Sequence, residues 1–184
     1  RLLADAVRQG YRILATEPSA LLCLKHEYPN LLDDEEAHLV AENSSEACEY
    51  LWDLHEDGKL DLDFSQIDCR IAYHQPCHLR VLDPRCCAPK LLSLIPGIEV
   101  ENIDAGCSGM AGTWGLQRKN YRSSLRIGWP VISKMRSAKV SIATTECSAC
   151  KMQIEHGSDR KTLHPLKIVA HAYGRMPKVE ADLF

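Results

Sequence analysis

Val140-Ser-Ile-Ala-Thr-Thr-Glu-Cys-Ser-Ala-Cys-Lys-Met-Gln-Ile154 is the stretch on which the reading of this chain turns. Residues 140–144 mix β-branched and small side chains in the pattern of a strand. A short loop follows, then a C-x-x-C pair at Cys147 and Cys150, then helical sequence through Ile154. Two upstream segments repeat the order. Cys69-Arg-Ile-Ala-Tyr73 is strand-like and runs straight into His74-Gln-Pro-Cys77-His78, and Cys86–Leu94 then reads as a helix stopped at Pro96-Gly97. Ile98-Glu-Val-Glu-Asn-Ile103 alternates as a strand before Ala105-Gly-Cys107-Ser-Gly109, a loop too rich in glycine for a helix interior. Helical sequence resumes near Leu116, breaks at Gly128-Trp129-Pro130, and continues as a second helix to about Ser137.

Nearer the start, Tyr11–Thr16 reads as a strand and Ala20–Tyr28 as a helix that Pro29 ends. A short strand is expected at His38-Leu-Val-Ala41. A helix is expected over Ser44–His55, with Ser44 or Ser45 as its cap. Strands alternating with helices predict an α/β fold, layered helices on a mainly parallel sheet, in which the strand C-termini share one edge. Cys77, Cys107 and the Cys147/Cys150 pair all fall in loops at those C-terminal ends. The topology therefore predicts that residues far apart in sequence become neighbours.

With 184 residues and 45% hydrophobic content, the chain can bury a sizeable core as one compact domain or two small lobes. No apolar run approaches the roughly 20 residues that span a bilayer. Nine cysteines, an odd number with a single C-x-x-C, suit free thiols and metal ligands better than a secreted disulfide framework, which predicts a cytoplasmic setting. Any contact with the cytoplasmic membrane face is then expected to run through partners. The charge is segregated: residues 33–68 hold 13 Asp/Glu against one Lys, leaving 12 acidic against 21 basic elsewhere. The plainer reading of the acidic run is a solvated helix face. Arg118, Arg122 and Arg126 form a basic stripe at helical spacing, but no nucleic-acid module accompanies it, so no nucleic-acid partner is expected.

Two thiolates seldom complete a site, so Cys147 and Cys150 need partners, and Cys77 and Cys107 are the candidates. Thiolates are soft donors that select zinc, copper(I) or iron–sulfur clusters. Gly106 and Gly109 flank Cys107 and allow positive φ and close backbone approach, useful where amides donate to sulfur. Cys23, Cys48 and Cys69 lie in periodic or strand-like segments and read as small core hydrophobes, as do Cys86 and Cys87 on their expected helix. His74 and His78 read as polar groups on a loop rim. Ser108 lacks a G-x-S-x-G elbow, which argues against acyl transfer.

Tyr73-His-Gln-Pro-Cys-His-Leu-Arg80, Asp104-Ala-Gly-Cys-Ser-Gly-Met-Ala-Gly-Thr-Trp-Gly115 and Thr144-Thr-Glu-Cys-Ser-Ala-Cys150 together resemble the cysteine-rich CCG domain family. That family occurs in heterodisulfide reductase and in the iron–sulfur subunits of glycolate oxidase and glycerol-3-phosphate dehydrogenase. Its pattern is a cysteine, Cys-Cys-Gly and C-x-x-C, so the resemblance assigns Cys77, Cys107, Cys147 and Cys150 as ligands. Ser108 stands where the second cysteine of the doublet belongs. This departure favours a four-cysteine site, an ordinary [4Fe–4S] cluster or zinc, over the five-thiolate noncubane cluster of the reductase relatives. Family members usually carry two units. The resemblance therefore implies that residues 1–60, with their acidic helical segment, are the tail of a preceding unit, and 61–184 a CCG-type domain. The sequence is most similar to the C-terminal part of FAD-linked oxidase fusion proteins.

The resemblance implies an iron–sulfur electron-transfer module of a flavin-linked oxidoreductase acting on a 2-hydroxy acid or glycerol 3-phosphate. FAD would sit in another domain of the same polypeptide or complex, and the electron acceptor is not named. On this reading the fragment lacks a complete active site of its own. A zinc-binding structural or interaction domain is the alternative. A thiol–disulfide oxidoreductase using Cys147 and Cys150 is a third reading, which leaves Cys77 and Cys107 without a role.

Overall fold

The computed structural model describes residues 1–179 and 183. Its centre is a four-stranded, all-parallel sheet built from β3 (Cys69–Tyr73), β4 (Ile98–Asn102), β5 (Ile142–Thr144) and β6 (Thr162–Leu163), in the order β4-β3-β5-β6. The strand alternation dictates two cores. Ile71, Tyr73 and Ile142 point to one face, where they meet Leu91 and Leu92 of α7 (Cys87–Leu92) and Ile168 and Val169 of α10 (Pro165–Ala172). Ala72 and Ala143 point to the other, against Val131 and Met135 of α8 (Tyr121–Ser137) and Ile154 of α9 (Ser148–Ser158). Helices thus cover both faces, and the expected α/β architecture is what forms.

A second, two-stranded parallel sheet pairs β1 (Ile13–Ala15) with β2 (Ser44–Glu46), register Ile13↔Ser44. Around it lie α1 (Leu2–Arg8), α2 (Pro18–Leu22), α3 (Tyr28–Leu32), α4 (Glu35–Glu42) and α5 (Ala47–Glu56). Part of the acidic run is neutralised within the chain: Arg85 reaches Glu49 and Asp53 on α5, each at 2.8 Å.

Several expected elements differ. Pro29 does not end its helix. A π turn over Cys23–Glu27 joins α2 to α3 just ahead of the proline, widening the helix where a regular one would clash with the carbonyl four residues back. The strand expected at His38–Ala41 is helical, because the Asp34 carboxylate accepts from the Ala37 amide at 2.7 Å and nucleates α4 there. Ser44 and Ser45 are strand, not cap; the cap of α5 is Glu46, whose side chain accepts from the amides of Cys48 and Glu49. Cys86 is not helical but a left-handed residue, φ 53°, ahead of α7. Arg118 precedes α8, so the basic stripe on that helix is Arg122 and Arg126 alone.

The largest difference lies at Gly128-Trp129-Pro130, which sits inside one unbroken helix. Gly128 is there for contact: a Cβ on it would run into the Ser108 carbonyl oxygen. A Cβ on Gly109, φ +88°, would likewise run into the Ser124 carbonyl oxygen. The Ser108-Gly109 loop and α8 therefore touch backbone to backbone. Gly128→Ala is expected to destabilise the protein by about 2 to 3 kcal/mol through overpacking, read as a lowered urea midpoint with unchanged slope.

Candidate metal centre

β3 runs between β4 and β5 in parallel register, Ile71 pairing with Val100 on one side and Ile142 on the other. Their three C-terminal ends therefore lie side by side. The ladder continues into the loops: the His74 amide donates to the Thr144 carbonyl at 2.9 Å and the Ile103 amide to the Tyr73 carbonyl at 2.7 Å. Cys77 opens α6 (Cys77–Leu82), Cys107 lies in the loop after β4, and Cys147 is the N-cap of α9, with Cys150 in its first turn. The Arg80 guanidinium of α6 and the Lys134 ammonium of α8 hold Asp104 at the root of the Cys107 loop, at 3.1 and 2.8 Å.

These placements bring all four predicted thiols to one sheet edge, where they interact two by two. Cys77 pairs with Cys107, a contact that raises the Cys77 thiol and lowers that of Cys107. Cys150 pairs with Cys147 with the same division, Cys150 raised and Cys147 lowered. Cys77 also feels the charge of Cys147, and Cys150 that of Cys77. Two further donors face the sulfurs. The Gly109 amide donates to Cys107 Sγ at 3.2 Å, and Ser108 Oγ donates to Cys150 Sγ at 3.1 Å. Gly106 adopts φ +86° as expected, but the amide that reaches the sulfur is that of Gly109.

Four soft donors, with an amide and a hydroxyl aimed at their sulfurs, fit a thiolate-bound metal group. Among the described residues, no three His, Cys, Asp or Glu side chains are drawn together as ligands of a single ion. The five remaining cysteines are free and stand apart from this group, Cys48 and Cys87 deep in the core.

His74 is not on a rim. It is fully buried, both ring nitrogens lack a partner among the described residues, and burial, reinforced by the Arg80 charge, lowers it to about 4. His78 does hydrogen-bond, its Nδ1 meeting Ser19 Oγ at 3.0 Å. Three more contributors escaped sequence reasoning. Glu17 Oε2 accepts from the Ser148 amide at 3.0 Å, Ser19 reaches His78, and His164 Nε2 donates to the Thr16 carbonyl at 2.8 Å. A signal for them existed: Thr16-Glu-Pro-Ser-Ala20 repeats Thr145-Glu-Cys-Ser-Ala149.

Glu46, Asp83 and Glu146 form a buried acidic cluster. Tyr73 donates from its hydroxyl to Glu146 Oε1 at 2.9 Å, while Glu146 Oε2 and Glu46 Oε1 have no partner among the described residues. Asp83 accepts from the amides of Arg85 and Cys87 at 3.0 and 2.9 Å. Burial pushes Glu146 up to about 8 and Glu46 up to about 7; the Glu46 charge adds to the cost of ionising Glu146, and the Asp83 and Glu49 charges to that of Glu46.

The comparisons with known proteins meet this geometry at the same residues. Residues 71–155 match the family model of the cysteine-rich domain named CCG. The chain carries a CCG-type cysteine-rich domain. One subunit of the anaerobic glycerol-3-phosphate dehydrogenase of Escherichia coli K12 is 30% identical over 164 residues, 89% of this chain and 41% of that protein. One subunit of the fumarate reductase (CoM/CoB) of Methanothermobacter marburgensis is 26% identical over 153 residues, 79% of this chain and 28% of that protein. A D-2-hydroxyglutarate dehydrogenase of Escherichia coli K12 is 31% identical over 74 residues, 39% of this chain and 7% of that protein. The chain spans less than half the length of these relatives. Among the described residues, no helix is long and apolar enough to cross a membrane.

Glu46 faces Glu146, Asp83, Glu49 and the Cys48 thiol. Its folded value, about 7, lies above the ordinary 4.5, so between those values the folded chain holds more protons than the unfolded one. The contribution is fully present below about pH 4.5 and is lost as pH rises to about 7, on the order of 3 kcal/mol for Glu46. Glu46→Gln cannot ionise and keeps an acceptor for the helix cap. Urea denaturation across pH 5 to 8 is expected to show a shallower loss of stability for this variant than for the wild type.

Proposed function

We propose that Cys77, Cys107, Cys147 and Cys150 hold a [4Fe–4S] cluster and that this domain is the electron-transfer module of a flavin-linked oxidoreductase. The observation that carries the reading is the meeting of four thiols from three strand-end loops, with Ser108 Oγ and the Gly109 amide directed at their sulfurs. A bound cluster supplies one-electron transfer; the protein supplies position and potential. Donation to Cys107 and Cys150 spreads their negative charge and favours the reduced state of whatever they hold. Ser108 has thus exchanged the fifth thiolate of the family pattern for a hydrogen bond to the fourth.

The FAD lies in another domain of the same polypeptide or complex, and the substrate is a 2-hydroxy acid or glycerol 3-phosphate. All three relatives named above are oxidoreductases or their subunits, and two carry substrates of this kind in their names. Residues 1–60 close a preceding unit, and residues 61–184 form the cysteine-rich domain itself.

Anaerobic preparation with iron and sulfide is expected to yield about four irons per site and a brown chromophore. Serine at any one of positions 77, 107, 147 or 150 should abolish or sharply reduce both. A protein that stays colourless, binds one zinc and loses stability on chelation would instead favour a structural site. A Cys77→Ser variant that keeps a reversible Cys147–Cys150 couple would favour thiol–disulfide exchange.

A further inference from the structure

The T-E-x-S-A repeat extends beyond its letters. β1 leads into Thr16-Glu-Pro-Ser-Ala-Leu21, whose last four residues open α2, and β5 leads into Thr145-Glu-Cys-Ser-Ala-Cys150, whose last three open α9. In each case the helical segment is followed by a short strand parallel to the first, β2 beside β1 and β6 beside β5. In each case a side chain at the end of that strand then caps the next helix. Glu46 accepts from the Cys48 amide to cap α5, and His164 Nδ1 accepts from the Leu166 amide to cap α10. Segment 13–56 and segment 142–172 are therefore two copies of one strand, loop, helix, strand, helix unit.

The copies differ at the two positions that matter chemically. Where the second has Cys147 and Cys150, the first has Pro18 and Leu21, both buried. The first loop offers no thiol, yet it lies across the second copy's site. Its Thr16 carbonyl accepts from His164 Nε2, its Glu17 carboxylate takes the Ser148 amide, and its Ser19 hydroxyl meets the imidazole next to Cys77. The Glu17 charge also acts on the Cys147 thiol, and α2 packs on α6, the helix that begins with Cys77.

We propose that loop 16–21 is a thiol-free copy of the C-x-x-C loop that serves as the cap of the thiol site, with Glu17 as its positioning residue. Its carboxylate holds the first amide of α9 and sets a fixed negative charge beside Cys147, which lowers the reduction potential of the bound centre. The potential part rests on the thiols being cluster ligands, as proposed above; the capping part does not. Extra negative charge near a cluster disfavours the added electron, whereas a neutral amide at the same place would not.

Two measurements on the full-length protein decide it. In an anaerobic redox titration, the signal to follow is the one that Cys150→Ser removes. Glu17→Gln is expected to move its midpoint to a more positive potential with iron content unchanged, and Glu17→Asp to stay near the wild type. Equal midpoints for Glu17→Gln and wild type would overturn the electrostatic role. In metal-free protein, hydrogen exchange in the peptide spanning 147–151 is expected to be several-fold faster in Glu17→Ala and unchanged in Glu17→Gln. Identical exchange in all three would overturn the cap. If the wild type takes up no cluster, the ligand reading and the potential claim fail together, and the exchange measurement still decides whether loop 16–21 caps α9.

Discussion

Everything at the thiol site depends on one constraint, the parallel pairing of β3 between β4 and β5. Parallel strands end on the same edge, so each crossover carries the chain back to the opposite edge and the strand that follows delivers a cysteine loop to the shared one. The ladder bonds that run past the strands, from His74 to Thr144 and from Ile103 to Tyr73, tie the loop roots together. The register thus decides which sulfurs can meet.

The pairing brings the loops to one edge, and close packing sets their depth. Ser108-Gly109 can lie on α8 only because neither Gly109 nor Gly128 carries a Cβ. Once there, the loop is held by Ser124 Oγ donating to the Gly109 carbonyl at 2.9 Å, and Gln153 of α9 donates in turn to Ser124 Oγ at 3.0 Å. The helix carrying Cys150 and the loop carrying Cys107 are therefore linked through α8. This link also brings Ser108 within hydrogen-bond distance of Cys150.

Around the thiols the protein sorts charge by distance. Hydrogen-bond donors, the Gly109 amide and the Ser108 hydroxyl, contact the sulfurs directly. The carboxyls of Glu46 and Glu146 are buried where ionisation is costly, and burial with the Arg80 charge holds His74 neutral. The first copy of the repeat completes the enclosure from outside with Glu17 and Ser19. One strand–loop–helix unit is used twice, with thiols in one copy and, on the reading proposed here, as a cover in the other.

The sequence by itself determined the three strands between Cys69 and Thr144, the parallel α/β class and the place of the four cysteines just past the strand ends, but not α6 and not the continuity of α8. These are local properties: period-two alternation, glycine in a loop, and two thiols three residues apart. Tertiary structure alone decided where local signals meet distant partners. Gly128-Trp129-Pro130 carries breaker residues, but the contact that explains Gly128 comes from a loop twenty residues earlier in the chain. His38–Ala41 was too short an apolar run to tell strand from helix until Asp34 capped it. His74 is buried because β3 is central, and Glu17 meets the Ser148 amide because two copies of one unit face each other. Burial and cross-chain contact depend on the packed fold, and no window of sequence contains them.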